Sequence, residues 1–221
     1  MTFSLAGRCA RTGMFGVVVT TSSIAVGSRC LFAKAGTGAS LTQHRTDPRL
    51  GPLAIELLDR GFDAVQAMDA IVAATPDRHW RQLAIIDRDG KTSSFRGNHV
   101  KRECDEVHGQ DCVALANIVR NITVPRAMVE AFEADPSLPL ATRLLCALKA
   151  GEDAGSEFEP LVSAALLVVH KESFPFVDLR VDALHDPIKE LSRLWRDYEP
   201  LAESYVERAI RPEGFVLPPK S

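Results

Sequence analysis

The sequence predicts an α+β fold in which antiparallel sheets are covered by helices on their outer faces. Three observations predict it. The chain opens with two alternating apolar runs, Phe3 and Leu5, then Phe15, Val17 and Val19, joined across Thr12-Gly13, which is the pattern and the turn chemistry of a β-hairpin. A second hairpin is written in Gln82 to Asp87 and Thr92 to Arg96, two β-rich runs flanking Arg88-Asp89-Gly90. Strand and helix patterns then come in blocks rather than in regular βαβ alternation, which disfavours a doubly wound parallel sheet.

Taken in order, the second run continues through Thr20-Thr21-Ser22-Ser23 to Gly27, an uncharged segment that reads as a buried central strand and a turn. Cys30 to Lys34 is a third strand, Gly36-Thr37-Gly38 breaks it, and Ala39 to Thr42 is a short fourth. Pro52 stands where helices begin, Leu53, Ile55, Leu57 and Leu58 supply an apolar face, and Gly61 stops it. Ala64 to Ala74 is a second helix, closed by Thr75-Pro76. After the Asp-Gly hairpin comes a polar stretch, Gly97 to Asp111, and then an apolar strand from Cys112 to Asn117. Helices are expected at Pro125 to Ala134 and Pro139 to Ala150, then a small acidic loop, Gly151 to Glu159. Val162 to His170 and Val177 to Val181 are partner strands. Helical spacing runs from Asp186-Pro187 to about Tyr198, and resumes from Leu201 to Ile210 after Glu199-Pro200. The tail Pro212 to Ser221, with its three prolines, is expected to be loosely held.

Composition bounds the function. With 221 residues and 46% hydrophobic content the chain can bury a substantial core without disulfides or metals. One domain, 1–221, is expected, with about 186–221 as its C-terminal helical extension. A formal net charge of −3 and the lack of a dense basic run exclude attraction to phosphate backbones or anionic lipid, so neither nucleic acid nor membrane is an expected partner. Five cysteines in no regular framework point to reduced thiols and a cytoplasmic location. The apolar run near Arg8 and Arg11 breaks too early, at Thr20-Thr21-Ser22-Ser23, for a secretory core.

Thr2-Phe3-Ser4-Leu5-Ala6, Gly13-Met14-Phe15-Gly16-Val17, Ala25-Val26-Gly27, Ala35-Gly36-Thr37-Gly38-Ala39, Thr42-Gln43, the Asp47 to Pro52 run, Ser163 to Val169 and Asp178 to Asp182 resemble, in that order, the family catalogued as domain of unknown function 1028. The resemblance covers nearly the whole chain. It implies the four-layer αββα sandwich of N-terminal-nucleophile (Ntn) hydrolases, two stacked antiparallel sheets between helical layers, and it supplies no reaction. The family pattern has glutamine and glycine before the asparagine where this chain has Leu115-Ala116-Asn117. It has a glycine-rich stretch ending in arginine and glutamine where this chain has Glu152, Asp153, Glu157 and Glu159 followed by Pro160-Leu161-Val162.

Three constellations could carry chemistry. Thr2 follows Met1, and removal of that methionine would leave a hydroxyl and a free α-amine on one residue, a self-contained nucleophile and base. Asn117 is the candidate oxyanion donor, and Ser22, Gly38, Thr42 and Gln43 are the candidate substrate-binding residues around it. The set His99, Cys104, His108 and Cys112 offers zinc-ligand types at a spacing unlike the compact pairs of zinc ribbons, and the bland reading, a scattered polar loop without metal, is taken. Cys9 or Cys30 as a nucleophile carries little weight, since buried cysteines in strands are ordinarily core. No cofactor is expected. The function expected is amide-bond hydrolysis on a small molecule or short peptide, against a non-catalytic ligand-binding or scaffold protein that keeps the shell. A homodimer is expected, to cover Leu194, Trp195, Tyr198, Leu201 and Tyr205.

Overall fold

The computed structural model describes residues 1–101, 103–213 and 215; most of the tail expected to be loose, 216–221, lies outside them. Among these residues ten strands form two antiparallel sheets. β1 (Thr2–Arg8), β2 (Phe15–Thr21), β7 (Cys104–Gly109), β8 (Cys112–Asn117), β9 (Ser163–Val169) and β10 (Val177–Val181) make the larger sheet, in the order β10-β9-β2-β1-β8-β7. β3 (Leu31–Lys34), β4 (Gly38–Gln43), β5 (Gln82–Asp87) and β6 (Thr92–Arg96) make the smaller, in sequence order.

Period-2 alternation sorts the side chains of the larger sheet onto two faces. Phe3, Leu5, Val18, Ala114, Leu166 and Val168 pack beneath α3 (Val124–Glu133), α4 (Leu140–Asp153) and α5 (Pro187–Tyr198). Ala6, Val17, Val19, Val113, Leu115, Ala165 and Leu167 face the smaller sheet, meeting Ala39, Leu41, Ala84 and Ile86 in a core between the sheets. The outer face of the smaller sheet, Leu83 and Ile85, is covered by α1 (Leu50–Asp59) and α2 (Ala64–Ala74). The layers therefore run helix, sheet, sheet, helix. This is the four-layer αββα arrangement expected, with β1 and β2 near the middle of the larger sheet and buried along most of their length.

Local rules account for several boundaries. α2 begins where Asp63 accepts from the N–H groups of Val65 and Gln66 at 3.0 and 2.9 Å, while the Gln66 side chain accepts from Asp63 N–H at 3.1 Å, a reciprocal capping box. α1 starts at Leu50, so Pro52 occupies the first turn, where its missing N–H leaves no bond unmade. The expected polar stretch 97–111 contains a strand instead. β7 lies at the sheet edge with Asp105, Glu106, Val107 and Gly109 half-buried and His108 exposed, and pairs with β8 from Cys104 opposite Asn117 to Gly109 opposite Cys112. Residues 24–27 do not extend β2, because the chain turns into a short 3-10 helix at Val26–Ser28.

α6 (Ala202–Ile210) follows α5. Leu191 and Trp195 point into the chain's own core, with Leu194 and Tyr198 packed against it, and Trp195 Nε1 donates to Thr142 Oγ1 at 3.0 Å. Much of the aromatic surface that suggested a second copy is thus covered from within. No described helix is long and apolar enough to cross a membrane.

Candidate functional site

One end of the space between the sheets is polar, beside the apolar core that runs from Ala6 and Val17 to Leu41 and Ile86. On the inward face of the larger sheet, Ser163 pairs with Thr21 of β2, Thr2 pairs with Asn117 of β8, and Asn117 pairs with Cys104 of β7. Phe3 stands opposite Thr20, so Thr2 and Thr21 are the next neighbours on β1 and β2. The result is a row of small polar side chains crossing five adjacent strands. Facing it from the smaller sheet is a second row, Gln43 paired with Gln82 and Gln82 with Arg96.

Hydrogen bonds tie the rows together. Gln82 Nε2 donates to the Ala116 carbonyl at 3.1 Å and toward that of Asp105 at 3.3 Å, which fixes Oε1 as its acceptor. That oxygen accepts from Gln43 Nε2 at 2.8 Å and from Asn117 Nδ2 at 3.0 Å. Gln43 Oε1 in turn accepts from Ser4 Oγ at 2.7 Å. Gln43, Gln82, Asn117 and Ser4 are fully buried, and a buried amide network of this kind holds its members in single orientations.

The Thr2 hydroxyl donates to the Met1 carbonyl, which also accepts from Thr21 Oγ1 at 2.6 Å. A peptide carbonyl thus already sits under two hydroxyls. Ser22 N–H donates to Glu157 Oε2 at 3.0 Å. Glu157 is brought here by its pairing with Val119, just past β8, and by Arg120 Nε donating to its carbonyl at 2.8 Å. Its side chain is 1% exposed, and burial pushes the carboxyl up to about 7, against the pull of the Ser22 bond and of the Met1 α-amine. Burial pushes that amine down, and Glu157 opposes the shift. Among the described residues neither Glu157 Oε1 nor Asn117 Oδ1 has a partner, although both are buried. At the rim, His44 and Arg45 take consecutive left-handed conformations, φ 52° and 44°, and His44 Nδ1 bonds the Trp80 carbonyl at 2.8 Å. Such conformations cost about 1–3 kcal/mol each and gather at functional sites. Burial also lowers the His44 pKa.

Of the residues singled out by sequence, Thr2, Asn117, Ser22 and Gln43 come together here. Thr42 lies beside them on β4 but turns its hydroxyl to the Asp47 carbonyl at 3.3 Å. Gly38 does not join them. It begins β4, five residues from Gln43 or about 16 Å along an extended strand, where it pairs with Lys34 and Asp87. Its φ is 153°, and an added Cβ would lie 2.3 Å from the Ile86 carbonyl oxygen, so its role is packing. The role expected for Asn117 also changes, since its Nδ2 is committed to Gln82 and its open atom is an acceptor. Sequence reading missed Thr21, Gln82 and Glu157. Thr21 could have been found by counting strand register from Thr2; Glu157 had no signal beyond an acidic loop.

The zinc-type set is dispersed. Cys104 and Cys112 lie at opposite ends of the β7-β8 hairpin, His108 bonds Thr92 Oγ1 and Ser94 Oγ at 2.6 and 2.8 Å, and His99 packs its ring 4.7 Å from that of Trp80. Among the described residues no three His, Cys, Asp or Glu side chains gather as a metal site.

A crystal structure of a protein from Silicibacter pomeroyi, itself assigned to the DUF1028 family, is 32% identical with a TM-score of 0.83, covering 89% of this chain and 85% of that one. Anbu, the ancestral beta-subunit, from Yersinia bercovieri is 10% identical with a TM-score of 0.39 over 93% of this chain and 97% of that one. The Gly-1 mutant of Anbu from Hyphomicrobium sp. strain MC1 is 14% identical with a TM-score of 0.40 over 92% and 97%. These two likenesses are too weak to decide anything about this chain. No curated protein matches it. The model of the family of unknown function DUF1028 matches residues 2–191, and with the close Silicibacter pomeroyi relative this means that the chain belongs to the DUF1028 family.

Proposed function

We propose that the polar end of the sandwich is the active site of an Ntn-type amidohydrolase that works once Met1 is removed. The observation that carries this reading is the position of Thr2, at the start of a central strand, with its hydroxyl and that of Thr21 both on one peptide carbonyl. In the processed chain Thr2 Oγ attacks the carbonyl carbon of an amide, the Thr2 α-amine takes the hydroxyl proton, and the C–N bond breaks as that proton passes to the leaving nitrogen. Water then repeats the sequence on the acyl-threonine ester. Thr21 Oγ1 is the donor for the developing oxyanion. Asn117 Oδ1 and the Glu157 carboxylate are acceptors fit to hold the protonated amine between steps. The substrate is a small molecule or short peptide, and the enzyme works in the cytoplasm without a cofactor.

A second reading has its own support. With Met1 in place the Thr2 amine is tied up in a peptide bond, and a cleft of about 580 Å³ lies at the other end of β1. A ligand-binding or scaffold protein with a hydrolase-like shell has these features.

Mass spectrometry of the natively expressed protein separates the two: loss of Met1 supports the hydrolase and retention supports the scaffold. For the processed chain, Thr2→Ala should abolish turnover of an amide library while changing stability by about 1 kcal/mol or less, the worth of one hydroxyl bond. Equal turnover by both proteins sinks the mechanism. A homodimer is kept as part of the proposal, resting on the half-buried Leu201 and Tyr205, and a monomer by light scattering at micromolar concentration removes it.

A further inference from the structure

The cleft at the far end of β1 is built around an arginine. Arg143, on α4, is 6% exposed. Its guanidinium carbon stands 3.9 Å from the centre of the Phe132 ring, and its Nε donates to the Phe132 carbonyl at 3.0 Å. Among the described residues its two Nη groups donate to nothing, although Arg143 lines the cleft. A guanidinium is costly to bury and carries five donors in a fixed plane. Here one donor is used, the plane is held by the ring, and the forked end is left open.

The surrounding charges narrow the ligand. Arg8 is paired with Asp111 at 2.8 Å, Arg11 Nη2 donates to the Ser137 carbonyl at 3.0 Å, and Glu133 Oε1 accepts from Gln110 N–H at 2.5 Å. Three guanidiniums against the two carboxylates of Asp111 and Glu133 leave a single positive charge in the cleft wall. Asp135 stands nearby, its carboxyl held below the usual range first by the Ser137 hydroxyl and N–H and more weakly by Arg143. The single net positive charge of the lining residues matches a monoanion and leaves a dianion with one charge unmatched. The volume, about 580 Å³, falls within the ordinary span for small-molecule sites. Cys9, Ala10, Pro136 and the arginine stems give the walls an apolar character.

We propose that this cleft binds a small organic carboxylate with an apolar body, its two oxygens taking the paired Nη donors of Arg143. Planar bidentate capture is what a guanidinium does and an ammonium does not. The proposal is independent of the chemistry assigned to Thr2.

The test uses the full chain with acetate, hexanoate and phenylacetate, and with phenylacetamide and inorganic phosphate as controls. Calorimetry reads affinity, and proton-nitrogen NMR reads the Arg143 Nε–H and the amides of Gln110 and Ser137. Saturable binding of hexanoate or phenylacetate is expected, with those three signals moving and with phenylacetamide and phosphate weaker by at least about tenfold, the scale set by one charge-assisted bidentate contact. Arg143→Met should weaken carboxylate binding at least as much, Arg143→Lys should recover part of it, and Thr2→Ala should leave it unchanged. Should Arg143→Met fail to fold, the carboxylate-to-amide ratio and the NMR signals of the wild type decide. The proposal is overturned if none of the three carboxylates binds saturably up to its solubility limit, if phenylacetamide matches phenylacetate, if folded Arg143→Met binds as the wild type does, or if the moving signals lie at the Thr2 end.

Discussion

Asn117 Nδ2 donates to Gln82 Oε1 across the gap between the two sheets, 3.0 Å long and fully buried. Through that one oxygen, which also accepts from Gln43, the polar end of the smaller sheet is fastened to the strand beside Thr2.

Gln82→Leu should therefore be costly out of proportion to the volume it changes. It orphans the Gln43 and Asn117 amides at once, and each buried group left unpaired costs about 1–3 kcal/mol. A loss of about 3 kcal/mol or more in urea denaturation is expected. A loss below about 1 kcal/mol would mean that water replaces the bridge.

Stability should carry the signature of Glu157. Its folded pKa is raised, to about 7 from an ordinary 4.5, so its contribution is fully present below the unfolded value and is lost as pH rises through the folded one. Relative to Glu157→Gln, which keeps an acceptor for Ser22 N–H, the wild type should lose on the order of 2–3 kcal/mol between pH 4.5 and pH 8. Urea midpoints of both proteins at pH 5 and pH 8 check this. A constant difference between them shows that the carboxyl titrates normally.

Gly38→Ala tests which end of β4 is the site. The new Cβ meets the Ile86 carbonyl at a φ of 153°, so a loss of about 2–3 kcal/mol is expected. Turnover per folded molecule, on any amide the wild type cleaves, should not change. A selective loss of turnover in a normally stable protein would return Gly38 to the site.

The thiols should react in an order set by burial. Cys146 is exposed, whereas Cys112 is fully buried and its thiol is pushed up to about 12, first by burial and then by Glu133. Brief iodoacetamide treatment followed by mass spectrometry should find Cys146 modified and Cys112 intact until denaturant is added. Early modification of Cys112 would show that the β7-β8 hairpin opens in the native state.

Much of the fold was legible because local rules agree with it. The bounds of α2, β5, β6 and β10 follow from a capping box, an Asp-Gly turn and alternating apolar runs. β7 was illegible because Asp105, Glu106 and His108 break its apolar pattern, and it is recruited by the hydrogen-bonding edge of β8, with Val107 against the core and His108 bonded to Thr92 and Ser94. The site was legible by halves. Thr2, Asn117 and Gln43 carry chemistry in their own identities, but which end of a strand a residue occupies depends on pairing that no window of sequence contains. Gly38 was therefore misplaced and Thr21 overlooked. Glu157 is further from reach still, since its burial comes from a bridge to Val119 and its composition reads as solvated loop.

The place of β1 between β2 and β8 also sets a timetable. Its hairpin partner emerges from the ribosome soon after it, but its other neighbour is residues 112–117, so an apolar strand bearing Phe3 and Leu5 waits until those residues are made with one row of N–H and C=O groups unpaired. Contacts so distant in sequence form slowly, and open edges of this kind invite pairing with other chains. A nascent chain of this family is thus most exposed to aggregation before β8 arrives, and assistance from a chaperone would be felt at the amino terminus first.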